Sequence, residues 1–121
     1  MTTVFHIADL AQWEEGKAAG AYRWSTRGAT LDQVGFIHCS ATDDQVRRVA
    51  GFVYADHPGP LVVLEIDVVA AAAAGVETKM EDGGTGELFP HLYGALDPSW
   101  VVAVHPARFD DGVFVWGAGA A

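Results

Sequence analysis

Residues 61–66, LVVLEI, decide the fold because they form the strongest strand signal in the chain. A run that is nearly continuous in branched apolar side chains is typical of a strand buried on both faces. We therefore predict a central strand over Leu61–Ile66, with the rest of a sheet built around it.

The segments around this strand alternate between short helical and extended patterns. Two N-terminal capping signals predict amphipathic helices, one after Asp9 that ends at Gly20 and one after Thr42. Shorter helical turns are expected at Thr30–Val34 and Ala70–Ala74. Further strands are predicted at Val4–Ile7, Tyr22–Trp24, Phe36–Cys39, Val76–Met80, Leu88–Tyr93, Val101–Val104 and Val113–Trp116. Because helices come early and strands late, the class is α+β rather than a doubly wound parallel sheet.

Length and composition predict a single domain over residues 1–121. Half of the residues are hydrophobic and 19% are charged, so the chain can close a core without metals or disulfides. The single cysteine, Cys39, has no partner for an internal disulfide, and we interpret it as a packed thiol. The longest nearly apolar run, Val68–Gly75, is too short to span a bilayer, and no export signal is visible, so a cytoplasmic protein is expected.

Charge and missing motifs exclude several function classes. Seven basic against sixteen acidic residues give a net charge of −9, which disfavours nucleic acids and anionic lipid surfaces as partners. The chain has no GxGxxG fingerprint, Walker loop, HExxH or CxxC motif. Ordinary Rossmann and P-loop mechanisms are therefore unsupported, and no metal site is predicted.

Two histidines lie within predicted core strands. His6 points to the face opposite Phe5 and Ile7, and His38 has the corresponding place in its own strand. Two imidazoles on two core strands could line one cleft, although each could equally be a half-buried histidine bonded to a carbonyl. His57 and His105, each beside a proline, are expected to be solvated.

The segment Gly86–Gly94, GELFPHLYG, combines acid, imidazole and phenol groups within a few residues. Glu87, His91 and Tyr93 together have the capacity for acid–base catalysis. The alternative is an ordinary edge strand with a proline bulge. Ser40 could contact a ribose or phosphate, and Arg23 an anion, although a cap and a carboxylate-paired arginine are the commoner roles.

Several of these stretches, taken in order, resemble a known family. They are FHI at residues 5–7, Tyr22 and Arg23, GFIHCS at 35–40, Gln45, LEID at 64–67 and GELFPHLYG at 86–94. Together they closely resemble the small bacterial proteins of domain-of-unknown-function family 952. The resemblance covers most of the chain.

The resemblance implies a fold similar to the ADP-ribosyltransferases, a split β-sheet with two or three helices that clasps NAD without a Rossmann glycine motif. Mapped by motif, His6 and His38 take the first two cleft positions, and either Glu87 or His91 takes the third. The implied cofactor contacts are Arg23, Ser40, Gln45 and Tyr93.

Three hypotheses about function follow. The first is a domain that binds NAD or a related small nucleotide and cleaves the nicotinamide glycosidic bond, with Glu87 stabilising the positive charge that builds on the ribose. The second is a catalytically silent module that binds a nucleotide or a protein. The third is a small hydrolase that uses Glu87 and His91 as acid and base.

Overall fold

The structure is a computed structural model that describes residues 2–117. Four α-helices occur in this range: α1 (Leu10–Ala19), α2 (Leu31–Val34), α3 (Asp43–Val53) and α4 (Val68–Ala73). The strands are β1 (Thr3–Asp9), β2 (Trp24–Thr26), β3 (Ala29–Thr30), β4 (Ile37–His38), β5 (Leu61–Asp67), β6 (Thr78–Asp82), β7 (Leu88–Leu92), β8 (Val101–Asp110) and β9 (Val113–Trp116).

The predicted central strand is confirmed. In the main antiparallel sheet the order is β1-β5-β8-β9, so β5 pairs on both of its edges. Five of its seven residues are buried, which matches the unbroken apolar run that predicted it. The mixed α+β class is confirmed as well.

The remaining strands form two smaller sheets, a β2-β3 ribbon and a three-stranded sheet in the order β4-β7-β6. The main and three-stranded sheets meet just after β4, where Phe5 and Ser40 exchange backbone hydrogen bonds of 2.8 and 2.7 Å. On the other side of this connection, the Cys39 amide donates to the carbonyl of Pro90 at 3.0 Å. Residues 38–40 are therefore tied to both β1 and β7.

The predicted helix ends are confirmed by capping bonds. Asp9 Oδ1 accepts from the Gln12 amide, and α1 ends at Gly20, whose φ of 81° is one that glycine adopts without strain. Thr42 Oγ1 accepts from the Gln45 amide at the start of α3. Helix α4 follows Asp67 and overlaps the helical turn predicted at Ala70–Ala74, so residues 2–117 contain four α-helices where the resemblance implied two or three.

Several predicted strand boundaries differ from the observed ones, and two of these differences have a clear structural cause. The strand predicted at Tyr22–Trp24 starts at Trp24, because Tyr22 forms only an isolated bridge with Leu96. β8 continues to Asp110 through Pro106, where the sequence predicted an end at Val104. A proline is tolerated there because β9 pairs only with residues 107–110 and leaves Pro106 with a partner on one side only.

The core has two parts. One contains Val4 and Ala8 of β1 with Trp13 and Tyr22, and the other contains Ile7 with residues of α3. Alternate β1 side chains thus enter different clusters, as the period of a strand requires. No helix within residues 2–117 is long and apolar enough to cross a membrane.

Candidate active site

A cavity of about 250 Å³ lies where β1, the residues around β4, β7 and α3 approach one another. Most of its wall is apolar, and its polar groups are imidazoles, hydroxyls and one thiol. The lining residues are Phe5, His6, Ile7, Thr26, His38, Cys39, Ser40, Val49, Val53, Tyr54, Gly83, Phe89 and His91.

His6 lies at the back of this cavity with both ring nitrogens engaged. Nδ1 is 2.6 Å from the carbonyl oxygen of His38, and Nε2 is 2.8 Å from the hydroxyl of Tyr22. Because a carbonyl can only accept, Nδ1–H donates, and Nε2 accepts from the Tyr22 hydroxyl. Burial lowers the pKa of His6 to about 4, so the ring is neutral near pH 7. His6 therefore joins β1 to β4 and has no nitrogen left for a ligand.

His38 stands at the exposed side of the same cavity. Its ring contacts the ring of His91 edge-on, with centroids 5.3 Å apart and planes at 80°. Partial burial, and then the neighbouring His91, lower the pKa of His38. The two histidines singled out in the sequence thus line one cavity, together with a third imidazole.

His91 is the one polar side chain of β7 (Leu88–Leu92), and only 5% of it is exposed. Nδ1 is 2.9 Å from Oε1 of Glu81, while Nε2 is buried and has no hydrogen-bond partner among the protein atoms of residues 2–117. The ring of Phe36 stacks on the imidazole at 3.9 Å with an interplanar angle of 13°, which fixes the ring plane. An unpartnered buried nitrogen is costly, so this atom requires an explanation.

The tautomer of His91 follows from its partner Glu81. Hydrogen bonds from Tyr93, and then from His91, lower the pKa of the Glu81 carboxyl, so it is ionised near pH 7. An ionised carboxylate only accepts, hence Nδ1–H of His91 donates to it. When the ring is neutral, Nε2 carries the lone pair, which is the arrangement of a general base oriented by a carboxylate.

Glu81 was not among the residues predicted from the sequence, although a signal for it was present. The glycine-rich stretch that follows it predicts a turn between two strands. In the observed register Glu81 lies opposite Phe89, so that Glu81, His91 and Tyr93 share a face. A β-hairpin register predicted from this turn would have placed Glu81 beside His91.

Glu87 does not line the cavity. Its carboxylate accepts two bonds from the guanidinium of Arg48, at 2.8 and 2.6 Å, and one from Gln45 Nε2 at 2.9 Å. These bonds lower the pKa of Glu87 to about 2. His91, rather than Glu87, is the later residue that meets His6 and His38.

Of the four residues expected to contact a cofactor, Ser40 alone is among the residues that line the cavity. Tyr93 is not among the lining residues, but its hydroxyl donates a hydrogen bond to the carboxylate of Glu81. Gln45 instead bonds the Ala41 amide and the Leu88 carbonyl, which holds α3 to the start of β7. Arg23 pairs with Asp32 at 3.0 Å on the surface and does not line the cavity.

Three other predictions concern histidine and cysteine. His57 and His105 were expected to be solvated, which is wrong, because their side chains are only 13% and 27% exposed. They bond the carboxylates of Asp9 and Glu65 at 2.8 and 2.9 Å. Cys39 is buried, and burial raises the pKa of its thiol to about 12. Within residues 2–117 no three side chains of the His, Cys, Asp or Glu types are grouped to hold a metal ion.

Comparison with known proteins gives a family but no activity. Residues 7–104 match the model of the family described as protein of unknown function DUF952. The chain is similar to the crystal structure of CC0527 from Caulobacter crescentus, with 32% identity, a TM-score of 0.74 and 94% of each chain covered. It is similar to the solution NMR structure of CC0527 at 30% identity and a TM-score of 0.71, over 93% of this chain and 91% of that one. No curated protein matches the chain.

Proposed function

The chain belongs to DUF952, a family of unknown function, and from the geometry of its cavity we propose that it binds a small organic molecule and acts on it through acid–base chemistry by His91. The observation that carries the proposal is the buried Nε2 of His91, which has no partner in the described part of the chain while Nδ1 is held by Glu81. A hydroxyl or N–H of a ligand, or a water, would satisfy this atom.

The reaction class that suits this geometry is hydrolysis. Nε2 of His91 takes a proton from a water as the water oxygen bonds to the electrophilic atom of the substrate. The bond from that atom to the leaving group then breaks, and Nε2 returns the proton to the leaving group. Glu81 holds the ring and stabilises the imidazolium that forms, as an orienting carboxylate does in other enzymes. The hydrolase hypothesis thus keeps His91 but replaces Glu87 with Glu81 as its partner.

NAD or a related nucleotide is the ligand that the resemblance implies, and it is the second candidate. An aromatic wall that includes Phe5, Tyr54 and Phe89 favours a flat ring, and the adjoining hydroxyls suit a sugar. A volume of about 250 Å³ lies just below the range typical of ligand pockets, so one ring with its sugar would fill it.

Cleavage of a nicotinamide glycosidic bond is less well supported than binding. That reaction needs a carboxylate beside the ribose where positive charge develops. Glu87, the residue expected to supply it, is held by Arg48 and Gln45 outside the cavity lining. This pairing favours the silent binding module over an NAD glycohydrolase.

Turnover of a panel of esters, phosphodiesters, nucleosides and NAD tests the proposal. For a substrate that the wild type hydrolyses, His91→Gln and Glu81→Gln should each lower kcat at least about 100-fold, the usual contribution of a positioned acid–base group. His105→Gln is the matched control, since it removes another carboxylate-paired imidazole that lies outside this cavity.

Two results would contradict the proposal. If His91→Gln retained full turnover, the unpartnered nitrogen would have no catalytic role. If Glu87→Gln lost as much activity as Glu81→Gln, Glu87 would be restored as the acid of the site. Binding of NAD without nicotinamide release in the wild type would support the silent module instead.

A further inference from the structure

Two imidazoles lie side by side on the wall of the cavity. His38 on β4 is opposite His91 on β7 in the antiparallel register, and both side chains line the cavity. Their ring centroids are 5.3 Å apart, and the ring planes meet at 80°. The proposed hydrolysis uses His91 alone, although His38 is close enough to contact the same substrate.

His38 is held in place through its backbone. Its carbonyl oxygen accepts from Nδ1–H of the buried His6 at 2.6 Å, and the next amide, that of Cys39, donates to the carbonyl of Pro90 at 3.0 Å. The ring packs edge-on against the ring of Phe36, with centroids 4.8 Å apart, and lies at the exposed side of the cavity. The bonds that fix the residue therefore leave its ring nitrogens available to a substrate.

The ring of His38 is a neutral hydrogen-bond donor near pH 7. Partial burial, and then the neighbouring His91, lower its pKa below the ordinary value of 6.5. A neutral imidazole keeps one N–H donor and one lone pair. Such a ring can polarise a carbonyl group, as a neutral histidine does in other enzymes. His38 can thus donate to a substrate oxygen without carrying a charge itself.

The wall of the cavity favours an uncharged substrate. None of the described residues that line it is a lysine, an arginine or a carboxylic acid. Burial raises the pKa of the Cys39 thiol to about 12 and lowers the pKa of His6 to about 4, so neither group is ionised near pH 7. A phosphodiester would bring a negative charge to this wall with no cation to pair with it, which is costly. An ester or amide carbonyl brings no charge.

We propose that His38 is a second catalytic residue and that the substrate is an uncharged carboxylic ester or amide: the N–H of His38 donates to the carbonyl oxygen while Nε2 of His91 activates the attacking water. This rests on the proposed function in taking His91 as the base. The water oxygen bonds to the carbonyl carbon as its proton passes to Nε2, and an electron pair of the C=O bond moves onto oxygen, where the His38 N–H stabilises the negative charge. The C=O bond then re-forms, the bond to the leaving group breaks, and Nε2 gives its proton to the leaving group.

Hydrolysis of 4-nitrophenyl acetate, an uncharged ester, tests the proposal against bis(4-nitrophenyl) phosphate, a phosphodiester. The full-length wild type should hydrolyse the ester faster than the phosphodiester, and His91→Gln should remove this activity. His38→Phe keeps a flat ring and removes the N–H. It should lower kcat by about 100-fold or more and change KM less than about threefold, because the donor acts on charge that develops in the transition state.

Two further measurements distinguish a donor from a structural role. His38→Gln supplies an amide N–H and should retain kcat within about tenfold of the wild type. The wild-type kcat should stay constant between about pH 7 and 9, because a neutral donor keeps its N–H while a protonated His38 would be lost over this range. His105→Phe is the matched control, since it removes an imidazole outside the cavity, and it should leave kcat unchanged.

Several outcomes would overturn the proposal. They are full kcat in His38→Phe, a His38→Gln variant as slow as His38→Phe, a wild-type kcat that falls between about pH 7 and 9, and faster hydrolysis of the phosphodiester than of the ester. The two proposals fail separately. If His91→Gln loses turnover and His38→Phe keeps it, the base stands and the donor does not. If His91→Gln keeps full turnover, the proposed function fails first.

Discussion

Replacing His6 with glutamine should change how the stability of the protein depends on pH. The ring of His6 is 2% exposed, and burial lowers its pKa from 6.5 to about 4. The unfolded chain therefore binds a proton at this residue at a pH where the folded protein does not. Stability from the neutral ring is fully present above pH 6.5 and is lost as the pH falls from 6.5 to about 4.

The magnitude follows from the same pKa values. One unit of pKa is about 1.4 kcal/mol, so the full effect is about 3 kcal/mol and most of it is lost by about pH 4.5. Near neutral pH, His6→Gln should destabilise the protein by about 1 to 3 kcal/mol, because buried hydrogen bonds to Tyr22 and to the His38 carbonyl are removed. Between about pH 7.5 and 4.5 the stability of the wild type should fall by about 2 to 3 kcal/mol more than that of the variant, so the advantage of the wild type disappears or reverses.

Urea denaturation at the two pH values measures this difference, and effects of other titrating groups cancel in the comparison. Tyr22→Phe is the matched control, because it removes one hydrogen bond to His6 and keeps the titrating ring. Its difference from the wild type should stay nearly constant with pH. If the wild type and His6→Gln lost equal stability on acidification, protonation of the buried His6 ring would not be a source of acid destabilisation.

Three further predictions concern packing, thiol reactivity and the surface ion pair. Gly16→Ala should lower the free energy of unfolding by about 1 to 3 kcal/mol, since its Cβ would lie 2.9 Å from Cα and Cβ of Tyr22; an unchanged urea midpoint would refute this. Cys39, buried with a thiol pKa of about 12, should be alkylated by iodoacetamide roughly a thousandfold more slowly in the folded protein than in urea, and equal rates would contradict its packing. Glu87→Gln should speed hydrogen exchange at the start of β7, because the bonds from Arg48 weaken, while ligand binding in the cavity persists; loss of binding with unchanged exchange would count against this assignment.

Short-range patterns determined much of the architecture. The apolar run of residues 61–66 specified the central strand, and the capping residues Asp9 and Thr42 specified where two helices begin. Family membership was readable too, since motifs such as GFIHCS and GELFPHLYG lie within the matched range. These features depend on neighbours along the chain, which a single sequence displays.

The sequence also predicted which face of a strand each side chain lies on. His6 alternates with Phe5 and Ile7, and this local period led to the hypothesis that His6 and His38 could line one cleft. The structure is what brings the two strands together and places both imidazoles on the wall of one cavity. The three-dimensional structure was needed to show that both nitrogens of His6 already have partners within the protein.

Only the tertiary structure decided which acid belongs to the site. Glu87 precedes His91 by four residues, yet its carboxylate bonds Arg48 on α3, while Glu81 reaches His91 from the neighbouring strand. A carboxylate bonds the donors that folding brings within about 3 Å, and strand register and helix packing set those distances over tens of residues. Sequence alone therefore identified the groups available for chemistry, and the fold determined how they are paired.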